Sequence, residues 1–451
     1  MSEQKRKFSS NFGAIMAAVG SAVGLGNIWR FPYICGKYGG GAFLLVYIAF
    51  VFLIGMVLMM SEFVIGRRSQ HTPMRAYENL KPSQPGWKYV GLLGIIACFF
   101  ILSQYLVVSG WTTGYIWHSM TGKIAQLGTD PVLIDTFFGS FASNALHPII
   151  FITIFAILTI SIILCGIQNG IEKMCKILMP MLVVLLMVLC VRSLTLPDSV
   201  KGLQYLFQPD FSKLTGEGIL AALGQALFSL SVGMGVMLVY GCYVPKKDNI
   251  LHTALWITAS DTLIAILAGV AIFPAVFSCG MEPAGGPGLV FKVLPSVFNS
   301  MDAMGPLFAT IFFLLLAVAA LTSAISLLEC LTAWFAETFN SHRTRSSTFF
   351  AVVTFVFACL FSLANGPLQH ITIAGRNLFD FVDSLNSIYL PPICALGTMI
   401  FFGWVMPDAD IRDELSNGGT IRISYYRVFR FITRFVCPVA LLVVLISGVL
   451  M

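Results

Sequence analysis

The chain has 451 residues, of which 57% are hydrophobic and 11% are charged, and its formal net charge is +6. Soluble domains carry roughly twice that charged fraction, so most of the chain is expected to lie in a lipid bilayer. No basic face with interleaved aromatic residues suggests nucleic acid as a partner. The 11 cysteines are odd in number and scattered, which predicts neither a disulfide framework nor a metal site.

The first element is an interrupted membrane span at residues 12–36. The stretch FGAIMAAVGSAVGLGNIWRFPYICG is long enough to cross a bilayer, but it is rich in glycine and carries Asn27 and Arg30 near its middle. Unsatisfied backbone groups and buried polar side chains are costly in lipid, so a simple anchor would gain nothing from them. A span that breaks at mid-membrane exposes carbonyls and amides to a ligand. We therefore expect this chain to bind and move a small solute.

Eleven stretches reach the roughly 20 residues that a span requires. They lie near residues 12–36, 42–66, 89–119, 147–165, 175–194, 217–243, 251–278, 306–335, 348–363, 378–405 and 432–450. Most of the 27 Lys and Arg residues fall in loops on the same side of the membrane as the N-terminus. The positive-inside rule then predicts a protein of the plasma (inner) membrane with its N-terminus in the cytoplasm and its C-terminus outside. A cleaved signal peptide also fits the basic start of the chain, but no convincing cleavage site follows.

A second interrupted span is predicted at residues 217–243. Ser229, Ser231, Gly233 and Gly235 fall near its middle, and it lies five spans after the first one. This arrangement is typical of a five-plus-five inverted repeat with a binding site between the two breaks. The alternative is that these glycines only allow close helix packing.

Several sequence motifs resemble those of the neurotransmitter:sodium symporter family. They are GSAVGLGNIWRFP at 20–32, GGGAFLLVYIAF at 39–50, SEFVIGR at 61–67, GQALFSLSVGMG at 224–235 and AALTSAIS at 319–326. The resemblance covers nearly the whole chain and is strongest to the bacterial multi-hydrophobic amino acid transporters. It implies an all-α integral membrane protein with the leucine-transporter type of five-plus-five inverted repeat and an eleventh helix. The single transmembrane domain would divide into repeats at 1–205 and 206–405 and an accessory helix at 406–451.

The resemblance also implies two Na⁺ sites built from oxygen ligands, which suit a hard cation. The first would be formed by the Ala22 carbonyl, Asn27, Ser229, Asp261 and the substrate carboxylate. The second would be formed by the carbonyls of Gly20, Val23 and Ala319 and the hydroxyls of Thr322 and Ser323. A lone helical hydroxyl more often bonds back to its own helix, which is the alternative role for the last two residues.

Asp261 departs from the family pattern, in which this position is usually asparagine. Chloride-dependent relatives bind Cl⁻ close to the positions of Tyr47, Gln225 and Ser229. Two Na⁺ ions leave the same net charge whether they are accompanied by Cl⁻ or by an ionised Asp261. The sequence therefore predicts transport without chloride, and the alternative is a protonated Asp261 that only donates a hydrogen bond.

The predicted substrate is a hydrophobic or aromatic L-amino acid. Exposed amides at the break of the first span suit a carboxylate, and Gly24 stands where monoamine carriers place an aspartate. Met234 replaces a phenylalanine of the leucine carrier and leaves room for larger side chains. The predicted substrate site comprises Ala22, Gly24, Leu25, Gly26, Ile101, Tyr105, Phe228, Ser229, Ser231, Met234, Ser323 and Leu327. Each apolar member would equally serve as ordinary packing.

The remaining charged residues within spans suggest two gates. The outer gate would pair Arg30 with Asp383, with Asp380 as a competing partner. The inner gate would consist of Lys5 (or Arg6), Phe8, Tyr243 and Glu337. The buried acids Glu62 and Glu329 could equally serve in structural pairing.

Other classes of membrane protein remain as alternatives. A channel would prefer a continuous polar pore, whereas the polar residues here gather at mid-membrane. The motifs HExxH, GxSxG and the P-loop do not occur, so we predict that the chain is not an enzyme. A carrier of another small zwitterionic or carboxylated solute, or a non-transporting amino acid sensor, stays open.

Overall fold

Helices make up most of the described chain. The computed structural model describes residues 8–281 and 289–450. Within these residues, the only strands are Thr372–Ile373 and Arg376–Asn377, which pair as a short antiparallel hairpin. The predicted inner-gate cations, Lys5 and its alternative Arg6, lie outside the described residues.

Nine continuous helices in the described ranges are long and apolar enough to cross a membrane, and a bent pair makes a tenth span. We number the spans in chain order, counting a further interrupted helix as the sixth. They are span 1 (Asn11–Ala22 and Gly26–Lys37), span 2 (Gly41–Ser69), span 3 (Pro85–Met120), span 4 (His147–Leu164), span 5 (Ile167–Leu194), span 6 (Gly216–Ser229 and Val236–Tyr243), span 7 (Ile250–Ser278), span 8 (Gly305–Thr338), span 9 (Arg343–Leu363), span 10 (Leu378–Val405) and span 11 (Tyr426–Gly448).

Span 1 is interrupted where the sequence predicts it. Its first helix begins after Ser10, whose hydroxyl caps it by accepting a hydrogen bond from the Gly13 amide at 3.1 Å. The helix ends at Ala22, because Val23 has extended backbone angles. The second helix resumes at Gly26 and is bent by 46° from the first. The helix is thus interrupted at residues 23–25, as the sequence predicts for the first span.

Span 6 is interrupted over residues 230–235. The backbone of Ser231, Gly233 and Gly235 has positive φ angles of 52°, 77° and 80°, which a helix cannot contain. A side chain at Gly233 would place its Cβ 2.6 Å from the Pro391 carbonyl oxygen of span 10. Glycine is therefore required here by both conformation and space.

The predicted start of span 5 is wrong by eight residues. We expect it near residue 175, but the helix starts at Ile167. Polar residues at 168–173 lower the apolar signal of this turn, although Gly170 and Glu172 within it are buried against the protein. Hydropathy therefore misses a helical turn that faces protein instead of lipid.

Five shorter α-helices connect the spans in the described part of the chain, in segments that lie outside the predicted spans. They are Pro73–Leu80, Pro131–Ala142, Ser199–Phe207, Leu294–Asn299 and Asp408–Leu415. Spans 3 and 8 make the most extensive helix–helix contact, and the first half of span 1 packs against spans 5, 7 and 8. The break of span 1 is thereby held at the centre of the protein.

Candidate functional site

The breaks of spans 1 and 6 lie against each other. The Ser231 hydroxyl donates to the Ser21 carbonyl at 2.9 Å, and the Gln225 amide donates to the Gly26 carbonyl at 2.8 Å. Both acceptors belong to span 1 and both donors to span 6. Carbonyls on either side of one break are therefore bonded by side chains next to the other, which meets the requirement for polar backbone inside a membrane protein.

A fully buried polar network joins spans 1, 6 and 7 beside these breaks. The Asn27 side chain donates to the Ser229 hydroxyl at 3.0 Å and to one Asp261 carboxyl oxygen at 2.8 Å, and its own carbonyl accepts from the Gly24 amide at 3.1 Å. Ser229 donates to the second Asp261 oxygen at 2.7 Å, and the Tyr47 hydroxyl lies 3.4 Å from that oxygen. Three of the predicted ligands of the first Na⁺ site are thus in mutual contact. Their oxygen atoms and the acid of Asp261 fit a hard cation.

Residues of the second predicted Na⁺ site lie where span 1 meets span 8. The Ser323 hydroxyl is 3.5 Å from the Val23 carbonyl across the two spans. Thr322 instead donates to the Ala319 carbonyl of its own helix at 3.0 Å. Gly20 of span 1 lies beside Thr322, since a Cβ atom added at Gly20 would be 3.3 Å from the Thr322 Cβ. The five predicted residues come together, and they offer only uncharged oxygens.

A small cavity of about 20 Å³ lies between the breaks and span 3. It is lined by Ser21, Ala22, Gly24, Gly26, Ile101, Tyr105, Phe228, Ser231, Met234, Ser323 and Leu327. These are the predicted substrate residues except Leu25 and Ser229, together with Ser21. Leu25 is adjacent, since its amide donates to the Tyr105 hydroxyl at 3.0 Å. The volume is about that of one water molecule, so an amino acid requires the walls to move apart.

Ser21 is a lining residue that the sequence analysis missed. Its carbonyl accepts from both Ser231 and Ser323, at 2.9 and 3.1 Å. The contribution comes from backbone in the last helical turn before the break, which no side-chain pattern reveals. The only available signal was its position next to Ala22 in the first motif.

Comparison with known proteins identifies the family. The model of the Sodium:neurotransmitter symporter family matches residues 5–129 and 146–451. The chain is 37% identical to the sodium-dependent transporter YhdH of Bacillus subtilis (strain 168), over 99% of this chain and 98% of YhdH. It is 35% identical to a sodium-dependent transporter of Haemophilus influenzae, over 99% and 98%. The crystal structure of MhsT in complex with L-phenylalanine superposes with a TM-score of 0.89, at 41% identity over 98% of this chain and 99% of MhsT.

This chain belongs to the sodium:neurotransmitter symporter family. The predicted all-α membrane fold of the leucine-transporter type is confirmed by the match to MhsT. The protein is a sodium-dependent symporter, and the prediction that it is not an enzyme is confirmed by its membership.

The predicted outer-gate residues have other partners. The Arg30 guanidinium lies over the Phe228 ring, 4.7 Å from its centre. Asp383 accepts a hydrogen bond from the Gln104 amide at 2.9 Å. Among the described residues, no ion pair within 4.0 Å joins Arg30 to Asp383 or Asp380. The sequence analysis missed Gln104, a neutral residue of span 3.

Of the predicted inner-gate residues, Phe8 and Tyr243 are in contact, with ring centres 5.9 Å apart. The acid bonded to Tyr243 is Glu329, which accepts from its hydroxyl at 2.8 Å and pairs with Arg343, one contact being 2.6 Å. Glu337 does not make this bond. The two acids are eight residues apart on one helix, hence roughly 12 Å apart, and only Glu329 is level with Tyr243. The sequence analysis left the role of Glu329 open and missed Arg343.

Glu337 lies at the edge of a larger cavity of about 510 Å³ that Tyr243 and Arg343 also line. Its carboxylate accepts from the Thr72 amide at 2.8 Å and contacts the Thr72 hydroxyl and the His71 ring. It therefore holds the loop after span 2 against the end of span 8. Of the predicted inner-gate residues, Tyr243 and Glu337 line this cavity, but they belong to two different hydrogen-bond clusters.

Proposed function

We propose that this symporter couples the entry of two Na⁺ ions to the uptake of a hydrophobic or aromatic L-amino acid by alternating access, and that it does so without chloride. Its N-terminus would lie in the cytoplasm and its C-terminus outside. The observation that carries the proposal is the Asn27–Ser229–Asp261 network, which places a buried acid beside an apolar cavity at two facing helix breaks.

The buried network supports the ion coupling. Both Asp261 oxygens accept hydrogen bonds, from Asn27 and from Ser229, which favours the ionised form of a carboxyl group. Na⁺ at the first site would supply the missing positive charge, since an unpaired buried charge is costly. The acid then provides the negative charge that chloride would otherwise contribute. A protonated Asp261 is the outcome that this proposal excludes.

The cavity supports the choice of substrate. The amide of Leu25 and the hydroxyl of Tyr105 lie at the end of a half-helix, where a substrate carboxylate is favoured. Ile101, Phe228 and Leu327 present apolar surface to the same cavity. Met234 also lines it, and a methionine side chain adapts to substrates of different shape. MhsT, a solved relative, is in complex with L-phenylalanine.

Uptake by proteoliposomes tests the proposal. We expect labelled phenylalanine, tryptophan, tyrosine, leucine or methionine to accumulate with an inward Na⁺ gradient, and not with K⁺. Replacing chloride by gluconate should leave uptake unchanged. Uptake that is lost without chloride would contradict the role of Asp261, and binding without accumulation or counterflow would indicate a sensor.

The accumulation ratio tests the number of ions. Each Na⁺ crossing 100 mV gains about 2.3 kcal/mol, and a tenfold gradient adds about 1.4 kcal/mol. Two ions then support a substrate gradient of roughly 10⁵, whereas one ion supports only its square root. A limiting ratio well below 10³ under these conditions would contradict two-ion coupling.

A further inference from the structure

A cluster of arginines precedes the apolar part of span 11. Arg430 and Arg434 are fixed, because they donate to the carbonyls of Phe402 and Gly403 at 2.9 and 2.8 Å. Arg422 and Arg427 are exposed, and their guanidinium groups make no ion pair or hydrogen bond with any other described residue. Two cationic groups next to a membrane span are therefore available to an anion.

Exposed aromatic side chains lie directly beside Arg434. Trp404 of span 10 is 58% exposed, and the Arg434 guanidinium lies 5.7 Å from its ring centre. Phe435 packs edge-on against Trp404 at 5.6 Å, and the exposed Phe431 packs on Phe435. Tryptophan and arginine together are typical of the headgroup level of a bilayer.

The charged and apolar groups follow one face of the helix. Positions 427 and 431 are four residues apart on one helix, so their side chains lie on the same face. The Phe431 and Phe435 rings pack 5.6 Å apart across the π-helical turn Ile432–Val436. Exposed Val439 and Val443 continue the same stripe. The surface thus changes from cationic to aromatic to aliphatic along its length, in the order of a phospholipid headgroup, glycerol region and acyl chain.

We propose that this surface binds an anionic phospholipid, whose phosphate is held by Arg422 and Arg427 and whose acyl chain lies along Phe431, Phe435 and Val439. Guanidinium groups bind phosphate oxygens by charge-assisted, often bidentate, hydrogen bonds. A zwitterionic lipid brings an ammonium group to the same arginines and is bound less well. The site is separate from the transport site and does not depend on the proposed substrate.

A second copy of the chain is the other candidate occupant. Only 17% of the apolar window of span 11 is buried within the protein, the lowest value among the nine continuous spans of the described chain. A symmetric dimer places identical patches opposite each other. Unpaired arginines would then face unpaired arginines, which is unfavourable, so the charge of this surface favours a lipid.

Quenching of Trp404 fluorescence by brominated lipids tests the site in the full-length protein. The protein is reconstituted in phosphatidylcholine vesicles with increasing dibrominated phosphatidylglycerol or dibrominated phosphatidylcholine, and the Trp404→Phe variant isolates the Trp404 signal. We expect half-maximal quenching at several-fold less phosphatidylglycerol, since each arginine near a membrane surface contributes roughly fivefold. The double variant Arg422→Gln/Arg427→Gln should lose this preference, and Arg422→Lys/Arg427→Lys should keep most of it.

Arg412→Gln is the matched control. Arg412 is an exposed arginine of the same region, but it is already paired with Asp408 at 2.7 Å, so its removal should leave the preference intact. Equal quenching by the two lipids in the wild type would overturn the proposal, as would an unchanged preference in the double glutamine variant. Trp404 shielded from both lipids, with a dimer mass by light scattering, would overturn it in favour of a second copy.

Discussion

The two predicted Na⁺ sites lie on opposite sides of the same helix break but are organised differently. At the first, Asn27, Ser229 and Asp261 come from three spans and bond one another. At the second, Ser323 reaches span 1 while Thr322 bonds to its own helix. The first site contains an acid, Asp261, and its residues already bond one another across three spans. The second site has only uncharged oxygens, and only one of its two hydroxyls contacts span 1. This difference suggests that the first site fixes ion and substrate together, and that the second one mainly sets how spans 1 and 8 meet.

The largest effect is expected from Asp261→Ala. The change removes the buried acid and leaves the Ser229 hydroxyl without its acceptor, while Asn27 and Tyr47 each lose one acceptor and keep Ser229. A Na⁺ ion at the first site would then lack its counter-charge, and removing one partner of a buried charge pair costs about 3–5 kcal/mol. Na⁺-driven uptake should therefore fall more than about 100-fold. The isosteric Asp261→Asn serves as a control, and chloride should partly restore its uptake. If the alanine variant took up substrate at the wild-type rate, Asp261 would not be required for ion coupling at the first site.

The next largest effect is expected from Gly24→Ala, which acts between the two sites. The new Cβ would lie 2.4 Å from the Ser323 hydroxyl oxygen and 2.8 Å from that of Tyr105. Overpacking of this kind costs about 1–3 kcal/mol, so amino acid binding measured by scintillation proximity should weaken roughly 10- to 100-fold. Gly224→Ala is the matched control, since a Cβ there has open space. Equal losses in both variants would point to general destabilisation of the fold.

At the second site, we expect loss of the Ser323 hydroxyl to weaken apparent Na⁺ affinity more than loss of the Thr322 hydroxyl. Ser323→Ala removes the hydrogen bonds to Ser21 and Val23, which contribute about 1–2 kcal/mol together. The Na⁺ concentration for half-maximal uptake should rise about tenfold. Thr322→Val, which loses only a bond within its own helix, should raise it less. The reverse order would show that Thr322 leaves its helix to bind the ion, and the two sites would then be more alike.

The smallest effect is expected from Tyr47→Phe. Its hydroxyl makes two long contacts, 3.2 Å to Ser229 and 3.4 Å to Asp261. Their loss should cost about 0.5 kcal/mol and reduce the apparent Na⁺ affinity only two- to threefold. Titration of uptake against Na⁺ measures this change. A loss as large as that of the alanine variant at 261 would mean that Tyr47 belongs to the ion site itself.

Glycine and polar residues inside apolar stretches were sufficient to predict both helix breaks. Such residues are costly in a membrane unless they serve a site, so their positions carry strong information. The break of span 1 at residues 23–25 and that of span 6 at 230–235 follow the predicted motifs. The repeat boundaries at 205 and 405, the number of Na⁺ ions and the side of the membrane on which each terminus lies remain predictions.

Contacts between distant residues could not be predicted in the same way. Glu329 and Glu337 are both acids on one helix, and only the packing of span 6 decides which one meets Tyr243. Gln104 bonds Asp383 although nothing in its local sequence marks it. Ser21 contributes a backbone carbonyl, and the first turn of span 5 faces protein in spite of its polarity. In each case the deciding partner lies far away in the chain.

The close approach of Gly233 to the Pro391 carbonyl has a practical consequence. Span 6 cannot shift at its break without displacing span 10 or separating from it, because the Gly233 backbone packs directly against the Pro391 carbonyl with no side chain between them. Events at the ion and amino acid sites should therefore reach the surface end of span 10. An environment-sensitive dye attached near residue 380 would then give an optical record of each transport cycle.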